Sequence, residues 1–169
     1  MCKLIRSVII CMIVIIFPVI TTGTKMELIN FELEDQFGKI HSTHEYRNAP
    51  FIILGCDRKG SDYVEEWGLK IKRILKDLHG HNNIKILGVA DLSGIPHFIF
   101  PAIKKELPHN VIILIDDRGL FSKSYKFEKN SINILIFDSN GSIIKKYNFK
   151  KSTIESGEKV AESLSLITG

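Results

Sequence analysis

The stretch FIILGCDRKGSDYVEEW, Phe51 to Trp67, holds the residues best placed to do chemistry. Cys56 supplies a thiol, and Arg58 and Lys59 supply positive charge just ahead of a run at helical spacing. A thiol at a strand-to-helix junction becomes reactive when cations or helix amides favour the thiolate. Three readings of Cys56 follow. A lone cysteine ending an apolar run is a small buried hydrophobe, which is the preferred reading. It is alternatively a single catalytic thiol with Arg58 assisting a peroxide, or one ligand of a metal. Gly55 to Ser61 also partly mimics the phosphate loop G-x-x-x-x-G-K-S/T, but the lysine after the second glycine is missing, which argues against nucleotide chemistry. Helix amides beside Arg58 and Lys59 suit an anion. A solvated polar turn accounts for the same residues more simply.

The other polar groups carry weaker signals. His41, His44, His79, His81, His97 and His109 are scattered, and His79-x-His81 has no acid or thiol at ligand spacing. Asp116-Asp117 and Asp138 follow apolar runs, where turn chemistry explains them. No cofactor and no metal is expected. The net charge of +4 comes without a basic stripe interleaved with aromatics, so a nucleic-acid partner is not expected either.

These residues need a scaffold, and 169 residues with 44% hydrophobic and 25% charged side chains suffice for one domain with a core. Lys3 and Arg6 precede an apolar run from Val8 to Ile20, followed by small and polar residues to Thr24. That order matches a secretory signal peptide over 1–24, leaving a domain over 25–169. The alternative is an anchor over residues 4–21. Export to the periplasm is the expectation, with membrane contact only through an uncleaved N-terminal segment. Cleavage would remove Cys2 and Cys11 and leave Cys56 as the one cysteine, so no internal disulfide is expected.

Along the domain, Ile29, Phe31 and Leu33 alternate with polar residues, turn at Asp35–Gly38 and resume at Ile40 as a hairpin. Phe51–Gly55 reads as a strand covered on both faces. Tyr63, Trp67, Ile71, Ile74, Leu75 and Leu78 line a helix face, with Asp62 as cap, Glu65 closing a capping box and Gly80 ending the helix. Strands follow at Ile84–Ala90 and Val111–Ile115, with a short helix within His97–Leu107. Residues 120–131 form a polar connection with a short helix or turn near Leu120–Tyr125. INILIFD and SIIKKYNF flank a Ser139-Asn140-Gly141 turn as a second hairpin, and Thr153–Ile167 makes a last helix with Ile154, Val160, Ala161, Leu164 and Ile167 inward. The alternation implies a parallel core with right-handed crossovers and antiparallel strands on one side.

In this order, the phrases FELEDQFGKIHS, FIILGC into SDYVEEWGLKIKRIL, IKILGVAD, NVIILIDDRGLFSKSY and INILIFDSNGSIIKKY resemble the thioredoxin-like superfamily in its redoxin and peroxiredoxin-like branch. DRKGSDYVEEW with VADLSGIPHF is similar to an exported redoxin subgroup of the periplasmic YtfJ type. The resemblance implies an α/β fold, a thioredoxin-like three-layer α/β/α sandwich whose mixed sheet carries an N-terminal hairpin extension.

The family's chemistry needs a cysteine at the start of the helix after the first central strand. The corresponding positions, Lys59 to Tyr63, contain none, and Cys56 stands about six residues before Asp62, where the helix dipole is weak. The family's cis-proline is replaced by Ser131-Ile132. Copper-carrier relatives use Cys-x-x-x-Cys plus histidine, and Gly60 stands where the second thiol would be. The resulting expectation is a binding or accessory protein of the cell envelope that does not catalyse, with an envelope protein or small ligand as partner. Its interaction surface would comprise Asp57, Arg58, Lys59, Gly60 and Ser61 with Gly94, Ile95, Pro96 and Ile132. The rival is a redoxin-type oxidoreductase or one-cysteine peroxidase using Cys56.

Overall fold

The unbroken apolar run Phe51–Cys56 forms strand β3, and every residue in it is buried. An apolar strand of this kind must be covered on both faces, and it sits at the centre of a five-stranded sheet. The computed structural model describes residues 26–78 and 84–168. Expectations on the segment 1–24, on Gly80 and on His79 and His81 lie outside the described residues, as does the side chain of Asp62.

Ahead of β3, strands β1 (Glu32–Glu34) and β2 (Ile40–Ser42) pair as the expected hairpin, followed by a 3-10 turn over Thr43–Tyr46. Then come α1 (Asp62–Asp77), β4 (Lys85–Asp91), a 3-10 turn His97–Ile99, α2 (Phe100–Glu106), β5 (Ile112–Asp116) and α3 (Leu120–Ser124). The chain closes with β6 (Ile132–Phe137), β7 (Ile143–Phe149) and α4 (Ile154–Thr168). The sheet order is β5-β4-β3-β6-β7, with β3, β4 and β5 parallel and β6 and β7 antiparallel. This is the mixed sheet that the sequence pattern implies.

Alternation along the strands divides the core in two. Ile52, Leu54 and Cys56 of β3 face Val64, Trp67, Ile71 and Leu75 of α1 and Val160 and Leu164 of α4. Phe51 and Ile53 face the opposite layer, where Leu28, Phe31 and Tyr46 join Phe121 and Tyr125. Three layers are present, and the N-terminal hairpin shares the third with α3. Trp67 is fully buried and stacks on Phe149 with ring centroids 5.0 Å apart, which places it in the core as expected.

Several local expectations need correction. Ser61, not Asp62, stands at the cap position of α1, and its hydroxyl donates to Arg58 O at 2.7 Å instead of capping the helix. The 120–131 connection is less polar in role than in composition. Phe121 and Tyr125 are buried, and the Tyr125 hydroxyl, accepting from Ile29 N–H and donating to Glu27 O, pins the entering chain. Ile154 is 82% exposed because α4 begins there, before its apolar face meets the sheet. Pro101 is tolerated because it lies in the first turn of α2, where its missing N–H has no helical acceptor.

Candidate functional site

Functional loops of α/β sheets gather where parallel strands end. Here β3, β4 and β5 end at Cys56, Asp91 and Asp116, and antiparallel β6 starts beside them at Ile132. Cys56 is the last residue of β3 and is 2% exposed, its side chain turned toward the α1 layer. It is the only cysteine among the described residues. The chain after it folds back. Asp57 accepts the Gly60 N–H through its backbone carbonyl at 3.0 Å, closing a β-turn, and through Oδ1 at 2.9 Å across the same turn.

The other Asp57 oxygen accepts the Asn130 N–H at 3.0 Å, so one carboxylate ties the 57–61 loop to the loop before β6. Asn130 has φ +55°, a left-handed conformation that asparagine tolerates better than most residues. Gly60 completes the cover over the thiol. A Cβ placed there would lie 2.6 Å from Ser131 O and 2.9 Å from Cys56 Cβ, closer than any side chain can sit. The position that would hold a second thiol in a Cys-x-x-x-Cys pair therefore has no room for a side chain in this conformation.

Behind Cys56, Gly55 is opposite Asn133 of β6. Asn133 is fully buried, and its side chain accepts Glu128 N–H and donates to Glu128 O and Gly55 O. The Phe127 ring fills the space a Gly55 side chain would take, and an added Cβ would come within 2.0 Å of it. Gly55→Ala is expected to displace Phe127 and cost about 2 kcal/mol as overpacking. Urea melts of the variant read this, and a loss well under ~1 kcal/mol would mean the ring moves without penalty.

The expected surface residues fall into two groups. Asp57, Arg58, Lys59, Gly60 and Ser61 form one loop, with Arg58 and Lys59 exposed. Gly60 is buried against Cys56 and Ser131, and Ile132 is 0% exposed because its side chain enters the α1-side core. Neither can present a side chain to a partner. Gly94, Ile95 and Pro96 follow β4 at the same end of the sheet, and the contacts of their turn run toward β5. Leu92 N–H donates to Asp116 O at 3.0 Å, and Ser93 Oγ lies against Gly119.

One further constellation escapes the sequence reading, and a second was read only as a turn. His41 is buried, with Nε2 donating to Asp35 Oδ2 at 3.0 Å. Its Nδ1 is left to the Tyr46 hydroxyl at 2.7 Å and to Glu45 Oε2 at 3.3 Å. Burial, with the Glu45 and Asp35 charges, pushes the Tyr46 phenol up to about 12. Hydrophobic alternation marks positions facing a core and carries no sign of a buried polar chain. At the β5 edge, Asp116 is fully buried and accepts the N–H groups of Leu120 and Phe121 at 2.7 Å each, the turn role expected of it. Burial raises its carboxyl, and Asp91 and Asp117 add to the rise, although the two N–H donors oppose it. No cluster of three or more metal-ligating side chains occurs among the described residues.

No protein-family model matches the sequence, and no curated protein matches it. Solved structures do match. The exposed lipoprotein thioredoxin of Streptococcus pneumoniae superposes with a TM-score of 0.61 at 16% identity, over 79% of this chain and 98% of that one. A SCO1/SenC family lipoprotein from Bacillus anthracis gives 0.60 at 14% identity over 86% and 97%. Peroxiredoxin Q from Xanthomonas campestris gives 0.59 at 14% identity over 82% and 92%. With a matching sheet order and flanking helices, these likenesses establish that the chain has a thioredoxin-like fold, the fold of the redoxin proteins.

Proposed function

We propose that this chain is an exported accessory protein of the cell envelope that uses its thioredoxin-like scaffold to hold a partner or small ligand rather than to exchange disulfides. One observation carries the reading. The start of α1, where this fold places a reactive thiol, reads Gly60-Ser61-Asp62-Tyr63, while the thiol that is present lies in β3 under a loop held shut by Asp57 and Gly60. Arg58 and Lys59 are the exposed charges of that loop and its contact residues. Two of the neighbours named above are lipoproteins, which supports an envelope location. No helix among the described residues is long and apolar enough to span a membrane.

The rival reading, a redoxin-type oxidoreductase or peroxidase working through Cys56, draws on the place of Cys56 at the end of the sheet where thioredoxin-like sites lie, two residues from Arg58. Alkylation separates the two. In the native protein Cys56 is expected to react with iodoacetamide at least about 10³-fold more slowly than in denaturant, because labelling waits for local opening. Cys56→Ser is expected to leave peroxide and disulfide turnover at background. Rapid labelling at low pH, together with turnover that the serine variant abolishes, would replace the binding reading with the enzymatic one.

A further inference from the structure

The cleft beside β1, about 820 Å³, sets four acids against three bases in its lining, so charge selects no ligand there. A smaller cleft, about 440 Å³, opens at the other end of the sheet from Cys56 and is different in kind. Its origin is a missing corner of the sheet. Strand β4 begins at Lys85, but β5 joins it only from Leu87, which pairs with Ile112, so Lys85 and Ile86 pair with β3 alone. Ahead of β5 the chain bends away at Pro108–Val111, and the Lys72 ammonium of α1 reaches across to donate to Asn110 O at 2.9 Å. What remains is a notch between α1 and the starts of β4 and β5, within the size range of small-molecule sites.

The lining is divided by polarity. Leu75, Ile84, Ile86, Val111 and Ile112 make an apolar floor without an aromatic ring, and Ile84, Ile86 and Ile112 are only half-buried. The rest of the lining is Lys72, Lys76 and Asn110, with no acid. Lys72 and Lys76 stand four residues apart on one helix face, where like charges repel. Neither has an acid partner among the described residues. Lys72 meets only the neutral Asn110 carbonyl, and Lys76 makes no hydrogen bond or ion pair there. The neighbouring acids do not change this. Glu65 lies outside the lining and accepts from Asn110 Nδ2 at 3.2 Å, Asp77 is outside the lining too, and the connecting residues 79–83 include no acid. An apolar floor beside two ammonium groups without a counter-charge suits an amphipathic anion.

From this we infer that the cleft binds a small aliphatic carboxylate, whose head group sits against Lys72 and Lys76 and whose tail lies on Leu75, Ile84, Ile86 and Val111. Branched aliphatic side chains favour an alkyl tail over a sugar or a base, whose polar atoms would go unpaired on that floor. A cationic head group would face two like charges with no acid to receive it. The site lies at the other end of the sheet from the Asp57–Ser61 loop and does not depend on the function proposed above.

The test titrates the full chain, ¹⁵N-labelled, with sodium octanoate below its micelle concentration. Saturable shifts are expected at the amides of Lys72, Lys76, Ile86 and Val111. Each methylene added to a buried tail tightens binding by up to about fourfold, so hexanoate should bind at least about fivefold more weakly than octanoate. Octanol, which lacks the charge, should also lose at least about fivefold, and octylammonium should not bind. Lys76→Gln removes one charge from an exposed side chain that holds no other described residue, and should weaken octanoate about fivefold with the fold intact. Absent shifts, shifts confined to other surfaces, equal binding of octylammonium, or unchanged affinity in Lys76→Gln would overturn the proposal. So would acetate reproducing the same shifts, which would mark plain anion screening. Phosphatidylglycerol vesicles perturbing these amides when octanoate does not would likewise overturn it, and would reassign the face to lipid.

Discussion

Alanine at Gly60 is expected to cost about 3 kcal/mol of stability and to unmask Cys56. The added methyl has no direction in which to yield. On one side it meets the Ser131 carbonyl, fixed because Ser131 begins the turn into β6, and on the other the Cβ of Cys56 in the central strand. The loop must lift, and lifting breaks the bonds from Gly60 N–H to Asp57 and from Asn130 N–H to the same carboxylate. If that loop covers the thiol, destabilising it by about 3 kcal/mol should speed iodoacetamide labelling of Cys56 by about 100-fold. Gly94→Ala is the matching control. Gly94, unlike Gly60, has positive φ, +87°, and its Cβ would meet nothing within 4 Å. It should lose only about 1 kcal/mol of backbone preference and leave Cys56 labelling unchanged. Equal labelling of Cys56 in wild type and Gly60→Ala would mean that the 57–61 loop is not its cover.

The same region shows what a sequence can and cannot disclose. The strand, the helix and their order are legible because they follow from repeated hydrophobic spacing, and Trp67 and Ile71 lie where the 3.6-residue period puts them. Asp57 could have been read further, since an aspartate at a strand end with glycine three residues on is a known turn signature. Its second bond, to Asn130, joins residues 73 apart, and no local pattern encodes that. Ile132 was misplaced as a surface residue for a related reason. Its position in the chain matches the edge of the family's cleft, but strand alternation turns its side chain inward with Ile134 and Ile136. The cleft beside β1 was invisible because its walls come from β1, α2 and the β5–α3 junction, and its shape exists only once the hairpin has docked on β5.

The turn of that hairpin is held internally by Asp35, and Asp35→Ala is expected to be among the most damaging single substitutions in the hairpin, at about 4 kcal/mol. One Asp35 oxygen accepts the N–H groups of Phe37 and Lys39 at 2.8 and 2.9 Å, and the other accepts His41 Nε2–H at 3.0 Å. Removing the carboxylate strands these donors in a site where Asp35 is 1% and His41 4% exposed. Burial alone would raise the Asp35 carboxyl, but the bonds from His41, Lys39 and Phe37 together outweigh it and hold the group below its reference value of 3.8. A carboxyl depressed in the folded state stabilises the protein above its unfolded pKa, and that stability is lost as pH falls through the folded value. Asp35 should therefore contribute fully at neutral pH and down to about pH 5, and fade below about pH 4. Asp116 works in the opposite sense. Its raised carboxyl favours the fold below 3.8 and opposes it as pH rises through the folded value, so a bare stability curve mixes the two. Comparing wild type with Asp35→Asn cancels the Asp116 contribution. The stability gap in urea melts should be widest near neutral pH and narrow steadily between about pH 5 and pH 3. A gap that stays constant across that range would show that the Asp35 charge does not hold the hairpin, and that its hydrogen bonds act as those of a neutral acceptor.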